Sequence, residues 1–226
     1  MNKKNILCFG DSNTWGFVPI IFDYETFHME RYSRDLRWPG FMQNLLGNDY
    51  FVIEEGLNGR TTNVEYPDIQ GRSGTSYLEP CLYTHSPLDL VIILLGVNDL
   101  KVIFDRSIKE ISLGLENLIK IIKKSTYGKD LKSPPEILVV GPPHLLHEGY
   151  LDANNEPVFT GGMEKSNQFH GYFSNLARDN NCHYINLGNK VKVSKIDGLH
   201  LDEVGHAKVG ELIASEVKNI LKKSEV

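Results

Sequence analysis

A serine that directly follows a short apolar run is the feature of this sequence most suited to chemistry. Residues 5–9 contain Ile, Leu, Cys and Phe, and the polar segment Gly-Asp-Ser-Asn-Thr-Trp-Gly follows at residues 10–16. An apolar run bounded by glycine and polar residues predicts a buried parallel strand. Open α/β sheets bind their ligands in the crevice at the carboxyl ends of their strands. We therefore predict that Ser12 is a nucleophile in such a crevice.

A serine hydroxyl is a weak nucleophile at neutral pH and needs two partners. A base must take its proton, and a third group must hold the base in the correct tautomer. The segment Asp-Gly-Leu-His at residues 197–200 supplies a carboxylate and an imidazole three residues apart. We interpret His200 as the base and Asp197 as the group that orients it.

Two further segments supply hydrogen-bond donors for a negatively charged oxygen. The apolar run at residues 90–95 predicts a buried strand, and Gly-Val-Asn-Asp follows it at residues 96–99. Asn98 offers a neutral amide there, and glycine in the segment 56–62 lets backbone N–H groups approach a ligand closely. Backbone N–H groups and an Asn amide commonly form an oxyanion hole. The sequence thus contains the parts of a serine hydrolase site.

The four motifs, taken in this order from Gly10 to His200, resemble those of the SGNH (GDSL-type) hydrolases. Longer strings, such as Cys-Phe-Gly-Asp-Ser-x-Thr-Trp-Gly, resemble the arylesterase/acyltransferase branch of that superfamily. The resemblance implies that Ser12 becomes acylated. It also implies an oxyanion hole made of the backbone N–H groups of Ser12 and Gly59 and the side chain of Asn98. Members of the branch can carry alanine at the position of Gly59, which would change the width of the pocket.

Residues around these motifs are candidates for contacts to the substrate. Trp15 follows the predicted nucleophile by three residues, which favours a position in the pocket wall. Arg60 is interpreted either as a partner in local ion pairs or as a substrate contact. We expect the regions 17–37 and 63–86, which are rich in Tyr, Phe, Pro and Gly, to line the entrance or an interface. Aromatic residues in the first region include Phe17, Phe22, Tyr24 and Phe27.

Other polar residues near the motifs favour structural roles. Asp11 is more typical of a hydrogen-bond acceptor that holds a loop than of a catalyst. His144 and His147 have a spacing that could serve a metal, but no cluster of carboxylates or cysteines accompanies them. We therefore expect exposed loop histidines there. Neither a metal nor another cofactor is expected.

The composition suits an enzyme that acts on a small molecule. The chain has 226 residues, of which 24 are basic and 29 acidic, and no basic run typical of nucleic-acid or membrane binding. Three widely spaced cysteines, Cys8, Cys81 and Cys182, do not resemble a secreted disulfide framework. The first apolar run is too short for a signal sequence, and no stretch is long enough to span a membrane. We expect a cytoplasmic protein, and the sequence leaves homo-oligomerisation open.

Alternating strands and helices position the motifs. Apolar runs predict five strands, at about residues 5–10, 51–55, 89–95, 136–140 and 183–186. Apolar residues at three- and four-residue spacing predict helices between them. This alternation predicts an α/β fold in which a five-stranded parallel sheet lies between two helical layers, a three-layer α/β/α sandwich of the flavodoxin-like type. We expect a single domain over residues 1–226.

The helix predictions specify which residues enter the core. A helix at about residues 39–46 should bury Phe41, Leu45 and Leu46, and one long helix is predicted over about 162–179. The segment after the second strand should be irregular, because it holds Pro67, Gly71, Gly74 and Pro80. The helix after the third strand should bury Ile108, Ile111, Leu115, Leu118, Ile119 and Ile122. The last helix, capped by Asp202, should bury Val204, Val209, Leu212, Ile213, Val217 and Ile220.

Two other classes of function remain open beside the esterase. Asp11 and Asp99 close two predicted strands, as acidic residues do in phosphorylatable receiver domains, where they would bind a cation and accept phosphate. A protein that binds acyl or carbohydrate ligands without turnover would use the same pocket. The main prediction is a serine esterase for short-chain or aryl esters that also transfers acyl groups to alcohols. A carbohydrate O-deacetylase of the same superfamily is the alternative.

Overall fold

The predicted strands form one parallel sheet. The computed structural model describes residues 3–20, 28–152 and 154–223. The strands are β1 (Lys4–Gly10), β2 (Tyr50–Gly56), β3 (Leu90–Leu94), β4 (Glu136–Gly141) and β5 (His183–Asn186). They lie in the order β2-β1-β3-β4-β5, and every neighbouring pair is parallel. This is the strand order of flavodoxin-like folds, so the predicted fold class is confirmed.

Helices cover both faces of this sheet. In the described residues they are α1 (Ser12–Trp15), α2 (Trp38–Leu46), α3 (Gly74–His85), α4 (Ile108–Lys124), α5 (Gly162–Ser166), α6 (Phe169–Asp179) and α7 (Glu203–Lys223). Helices α3, α4 and α6 pack on one face, and α2 and α7 pack on the other. None of the described helices is long and apolar enough to cross a membrane.

Alternation along the strands divides the apolar side chains between two cores. In β1, Leu7 and Phe9 contribute to one core, whereas Ile6 and Cys8 contribute to the other. Successive side chains of a strand point to opposite faces of the sheet, so a continuous apolar run suits a strand that is covered on both sides. The three layers follow from this pattern.

The first three strands end at one level of the sheet, and glycine is required there. Gly10 lies opposite Gly56 of β2 and opposite Leu94 of β3. A Cβ atom on Gly10 would lie 2.0 Å from the Thr14 hydroxyl oxygen, and one on Gly56 would lie 2.2 Å from the Trp15 backbone nitrogen. Because neither residue has a Cβ, α1 can start directly after β1 and pass over the end of β2.

The buried face of α2 differs from the predicted one. Trp38, Met42 and Leu46 are buried and lie four residues apart, whereas 43% of Leu45 is exposed and Phe41 is half-buried. The helix begins at Trp38, one residue before the predicted start, and this tryptophan directs the apolar stripe. The prediction that Phe41 and Leu45 enter the core was wrong, because it left Trp38 and Met42 out of the periodic set.

The segment that was expected to be irregular contains α3. Leu78, Cys81 and Leu82 of this helix are buried against the sheet, although Pro80 lies inside the helix and cannot donate a backbone hydrogen bond. Packing of these three residues outweighs the cost of the proline. The region 162–179 likewise differs from its prediction, because it forms two helices, α5 and α6, instead of one.

The two longest helices agree with most of their predictions. All six predicted core residues of α4 are buried, and Ser107 and Glu110 form a capping box before its first turn. Asp202 caps α7, since its carboxylate accepts a hydrogen bond from the Gly205 nitrogen at 2.8 Å. Val204 is 77% exposed, so its predicted place in the core was wrong. It lies in the first turn of α7, where its side chain is exposed.

A side chain of α2 covers part of the outer edge of β2. The Gln43 carbonyl oxygen accepts a hydrogen bond from the Val52 nitrogen at 2.8 Å, and its amide nitrogen donates to the Tyr50 carbonyl at 3.1 Å. These two backbone groups lie on the side of β2 that has no neighbouring strand. One amide side chain therefore satisfies a donor and an acceptor that the sheet leaves open.

The corrected face of α2 gives a stability prediction. Met42→Ala should lower the free energy of unfolding by about 2–5 kcal/mol, because it removes a buried side chain and leaves a cavity. Leu45→Ala is the matched control and should change it by about 0.5 kcal/mol or less. Urea unfolding followed by circular dichroism measures both. Equal losses in the two variants would contradict the assignment of the buried face.

Candidate active site

Ser12, His200 and Asp197 form a continuous chain of hydrogen bonds. The Ser12 hydroxyl oxygen lies 2.9 Å from Nε2 of His200, and Nδ1 of the same imidazole lies 2.7 Å from Oδ2 of Asp197. All three residues are buried. The structure thus brings together the three residues that the sequence nominated from opposite ends of the chain. This is the arrangement in which an imidazole can take a proton from a serine hydroxyl.

The turn that carries His200 is held by the second oxygen of Asp197. This oxygen accepts hydrogen bonds from the backbone nitrogens of Leu199 at 3.1 Å and His200 at 3.0 Å. Burial alone raises the pKa of Asp197, but these hydrogen bonds and the bond and charge of His200 outweigh it and lower the pKa below its usual value. Asp197 therefore stays ionised beside the imidazole, in the state that stabilises an imidazolium.

Asn13 clamps the same turn to α1. Its side-chain oxygen accepts a hydrogen bond from the Leu201 nitrogen at 2.9 Å, and its amide nitrogen donates to the Leu199 carbonyl at 3.3 Å. Both bonds flank His200 and join it to the residue that follows Ser12. Asn13 was not among the predicted site residues, although its place directly after the nucleophile was a usable signal.

Asn98 and Gly59 lie on neighbouring loops. Asn98 begins a 3-10 turn after β3, and its amide nitrogen donates to the Arg60 carbonyl at 3.1 Å. An amide nitrogen carries two hydrogens, so a second donor is left for a ligand. Gly59, the residue before Arg60, has a φ of 79°, a value that side chains other than glycine disfavour. The loop that would offer the Gly59 N–H is thus fixed to Asn98.

Arg60, for which the sequence left a local ion pair and a substrate contact open, is buried and bonded to backbone carbonyl groups. One guanidinium nitrogen donates to the Gly10 carbonyl at 2.9 Å and to the Glu55 carbonyl. The guanidinium also stacks on the Phe9 ring, 4.1 Å from its centroid. With only 2% of the residue exposed, Arg60 ties the ends of β1 and β2 to the Gly59 loop.

An aromatic ring covers the imidazole of His200. The Phe17 ring stacks on it with a centroid distance of 4.4 Å and an interplanar angle of 27°. Trp15 is half-buried, 6.3 Å from Phe17, and carries the Arg31 guanidinium 4.8 Å from its ring centroid. Among the described residues, Phe17 is therefore the aromatic residue stacked on the imidazole, a role that the sequence motifs did not indicate. Phe22, Tyr24 and Phe27 lie outside the described residues.

The model of the GDSL-like lipase/acylhydrolase family matches residues 8–208 of the sequence. The chain belongs to this family. A search of curated protein sequences finds no significant match. Solved structures give several close matches over nearly the whole length of both chains.

Several of the solved structures that this acylhydrolase resembles in fold and sequence are esterases. It is 37% identical to an aryl esterase from M. smegmatis, with a TM-score of 0.88 and coverage of 96% of this chain and 99% of the other. It is also 37% identical to a carbohydrate acetylesterase from Sinorhizobium meliloti, with a TM-score of 0.88 and coverage of 96% and 100%. A second Sinorhizobium meliloti carbohydrate acetylesterase family member is 34% identical, with a TM-score of 0.84 and coverage of 97% and 99%.

Asp11 and Asp99, the acidic residues of the receiver hypothesis, both make structural hydrogen bonds in this acylhydrolase. The Asp99 carboxylate is fully buried, accepts hydrogen bonds from the Thr62 nitrogen at 2.9 Å and from its hydroxyl, and pairs with Arg106. Asp11 caps α1 by accepting a bond from the Asn13 nitrogen at 2.9 Å. Neither carboxylate is placed to receive a phosphoryl group, which agrees with the structural role predicted for Asp11.

The two loop histidines pack against glycines. His144 lies against Gly188, and a Cβ atom on Gly198 would lie 2.5 Å from the His147 ring. Both side chains are half-buried, so the prediction that they are exposed was wrong. A glycine has no side chain to keep an imidazole away, and His147 thereby covers the turn that carries His200.

One group of side chains in the described residues has the composition of a metal site. Glu55, Cys81 and His85 place one potential ligand atom each within 4.8 Å of one another. His85 and Glu55 already share a hydrogen bond of 2.8 Å, and burial raises the pKa of Cys81 to about 12, which keeps the thiol protonated. The positive charge of Arg60 acts on both Glu55 and Cys81. These features favour a hydrogen-bonded network over a metal site.

The buried Asp11 carboxyl predicts a pH-dependent stability. Burial raises the pKa of Asp11 to about 7, against the hydrogen bond from Asn13 and the charge of Arg60. The unfolded chain releases this proton near pH 4, so the folded state binds more protons between about pH 4 and 7. The contribution of Asp11 to the free energy of unfolding is fully present below about pH 4. It is lost as the pH rises from there through about 7.

Asp11→Asn should remove this loss, because asparagine keeps a side-chain oxygen for the cap and carries no charge. Between pH 5 and pH 8, the variant's free energy of unfolding should rise relative to wild type by about 2–3 kcal/mol. Urea unfolding at both pH values measures the change. Asp35→Asn, at an exposed carboxylate, is the control and should leave the pH slope unaltered. A constant difference between Asp11→Asn and wild type at both pH values would contradict the prediction.

Proposed function

We propose that the protein is a serine esterase that cleaves short-chain or aryl carboxylic esters through an acyl-serine intermediate. The observation that carries the proposal is the hydrogen-bonded chain from Ser12 through His200 to Asp197, beside the amide of Asn98. Membership of an acylhydrolase family supports the same chemistry.

The first step forms a bond between Ser12 and the acyl carbon of the ester. The Ser12 oxygen attacks this carbon while its proton passes to Nε2 of His200, 2.9 Å away. Asp197 stabilises the resulting imidazolium through Nδ1. The carbonyl oxygen becomes an oxyanion, which receives hydrogen bonds from the N–H groups of Ser12 and Gly59 and from the Asn98 amide. His200 then returns the proton to the leaving alcohol as the tetrahedral intermediate collapses.

The second step divides the acyl-serine between two acceptors. Water or an alcohol attacks the acyl carbon while His200 takes its proton, and Ser12 recovers that proton as the product leaves. Phe17 covers one face of the imidazole and reduces the access of water from that side. We propose that this shielding, together with Trp15, lets an apolar alcohol compete with water, so that the protein also acts as an acyltransferase.

Similarity to solved esterases gives two candidate classes of substrate, and one comparison of reaction rates distinguishes them. Similarity to an aryl esterase supports aryl and short aliphatic esters. Equal similarity to a carbohydrate acetylesterase supports O-acetylated sugars as the second candidate. A panel of p-nitrophenyl esters of increasing chain length, assayed beside a panel of acetylated sugars, distinguishes the two by their kcat/KM values.

The cellular context belongs to the same proposal. We propose one catalytic domain over residues 1–226 and a cytoplasmic location, in accord with three cysteines that remain free thiols in the structure. The excess of acidic over basic residues, 29 to 24, favours a small-molecule substrate over nucleic acid.

Acylation of Ser12 is the first prediction of this mechanism. A fluorophosphonate probe should form an adduct that peptide mass mapping places on Ser12, and Ser12→Ala should lower kcat by several orders of magnitude without unfolding the protein. An adduct on another serine of the active protein would disprove the assignment. Asn98→Ala in the same assay should lower kcat by roughly 10²–10³, the effect of losing one oxyanion donor.

Acyl transfer in water is the second prediction. With vinyl acetate and benzyl alcohol in buffer, the protein should form benzyl acetate in addition to acetate, because shielding of His200 lets the alcohol reach the acyl-serine. Gas chromatography of the products measures both. The Ser12→Ala variant supplies the background. If acetate forms but benzyl acetate stays at this background level, the protein is a hydrolase without acyltransferase activity.

A further inference from the structure

A buried lysine without a carboxylate partner lies next to the proposed oxyanion hole. Lys101 is 9% exposed, and its ammonium donates to the Tyr150 hydroxyl at 3.0 Å. In the part of the chain that the structure describes, Lys101 takes part in none of the ion pairs. Burying a charge is costly unless the surroundings compensate it. The surroundings of Lys101 are therefore informative about its role.

Aromatic rings supply the compensation. The Lys101 nitrogen lies 5.1 Å from the ring centroid of Tyr66, 5.6 Å from that of Tyr150 and 5.8 Å from that of Phe159. Ring faces attract a cation through their quadrupoles. They do not carry a negative charge, so the positive charge of Lys101 is stabilised but not cancelled.

The residue that carries this charge is joined to both loops that would bind the oxyanion. The backbone nitrogen of Lys101 donates a hydrogen bond to the Asn98 carbonyl at 3.3 Å, at the end of the 3-10 turn that begins at Asn98. The Tyr66 hydroxyl is buried without a hydrogen-bond partner, and a Cβ atom on Gly59 would lie 3.4 Å from it. The ring that lies under the ammonium thus borders the Gly59 loop, and Lys101 follows Asn98 by three residues.

We propose that the buried ammonium of Lys101 stabilises the oxyanion of the tetrahedral intermediate through its charge, without touching the substrate. The inference rests on the proposed esterase mechanism. In a site of low dielectric, a fixed charge acts over several ångströms and needs no reorganisation when the oxyanion forms. Two carboxylates nearby are paired, Asp99 with Arg106 and Asp197 with His200. Lys101 therefore adds a positive charge near the hole, besides those of Arg60, which backbone carbonyls hold, and Arg72, whose Nε would lie 3.7 Å from a Cβ atom on Gly59.

The oxyanion exists in the transition state and not in the bound ester, so the effect belongs in kcat. An interaction made only in the transition state raises kcat and leaves KM unchanged. In an effective dielectric of about 20, a unit charge at about 8–10 Å from a developing charge changes a rate roughly 15- to 30-fold, which sets the size of effect that the experiment must detect. Loss of a substrate contact would raise KM instead.

Neutral and charged replacements of Lys101 separate the charge from the packing. Lys101→Met and Lys101→Gln should each lower kcat on p-nitrophenyl acetate roughly 15- to 30-fold with KM within about twofold of wild type. Lys101→Arg, which keeps the charge, should recover most of the activity. Lys222→Met, at an exposed position of α7, is the control for loss of a lysine and should retain wild-type kcat. Lys101→Gln keeps a polar end for Tyr150, so it tests the charge even where the methionine variant fails to fold.

Binding of benzeneboronic acid gives a second readout. The boronate adds to Ser12 as a tetrahedral anion, and its inhibition constant should rise in the neutral variants by the same factor as kcat falls. Labelling of Ser12 by the fluorophosphonate and the loss in Asn98→Ala test the esterase mechanism separately. Suppose that Ser12 is labelled and Asn98→Ala loses activity as predicted. The role of Lys101 would then be overturned if Lys101→Gln left kcat and boronate binding unchanged, or if it raised KM alone.

Discussion

The alignment of three strand ends is the constraint on which the site depends. Gly10, Gly56 and Leu94 lie opposite one another, so the loops after β1, β2 and β3 leave the sheet at one level. Sheet order reverses beside β1, which opens the crevice that such folds use for ligands. A Cβ on Gly10 or Gly56 would collide with α1, and the helix that carries Ser12 would have to move. Arg60 secures the same level from behind, through the carbonyls of Gly10 and Glu55.

Precision at the site comes from bonds between distant segments and not from the regular sheet. His200 belongs to a short turn near the end of the chain, and Asn13 holds both of its neighbours to α1. Asp197 holds the backbone of the turn with one oxygen and the imidazole with the other. An imidazole fixed in this way needs little rearrangement to accept a proton, which is the physical content of preorganisation.

The sequence was sufficient for the fold class, the strand positions and the three hydrogen-bonded residues, because apolar runs and short motifs are local signals. It was insufficient where tertiary packing outweighs local preference. Pro80 argued against α3, yet Leu78 and its neighbours bury enough surface to form the helix. Arg60 carried a charge that suggested a local ion pair or a substrate contact, whereas carbonyl groups and the Phe9 ring hold it inside. Phe17 could not be distinguished from other loop aromatics until its ring was placed on His200.

The amide of Gln43 has a consequence for how copies of this chain meet. An open strand edge presents free N–H and C=O groups that can template a strand from another molecule, and proteins need some device against this. Here a helix supplies it, because Gln43 occupies a donor and an acceptor of β2. This part of the edge is consequently covered only while α2 is docked. A partly folded chain in which α2 has detached would offer β2 as a site of intermolecular sheet growth, so docking of this helix protects the protein from aggregation as well as completing its core.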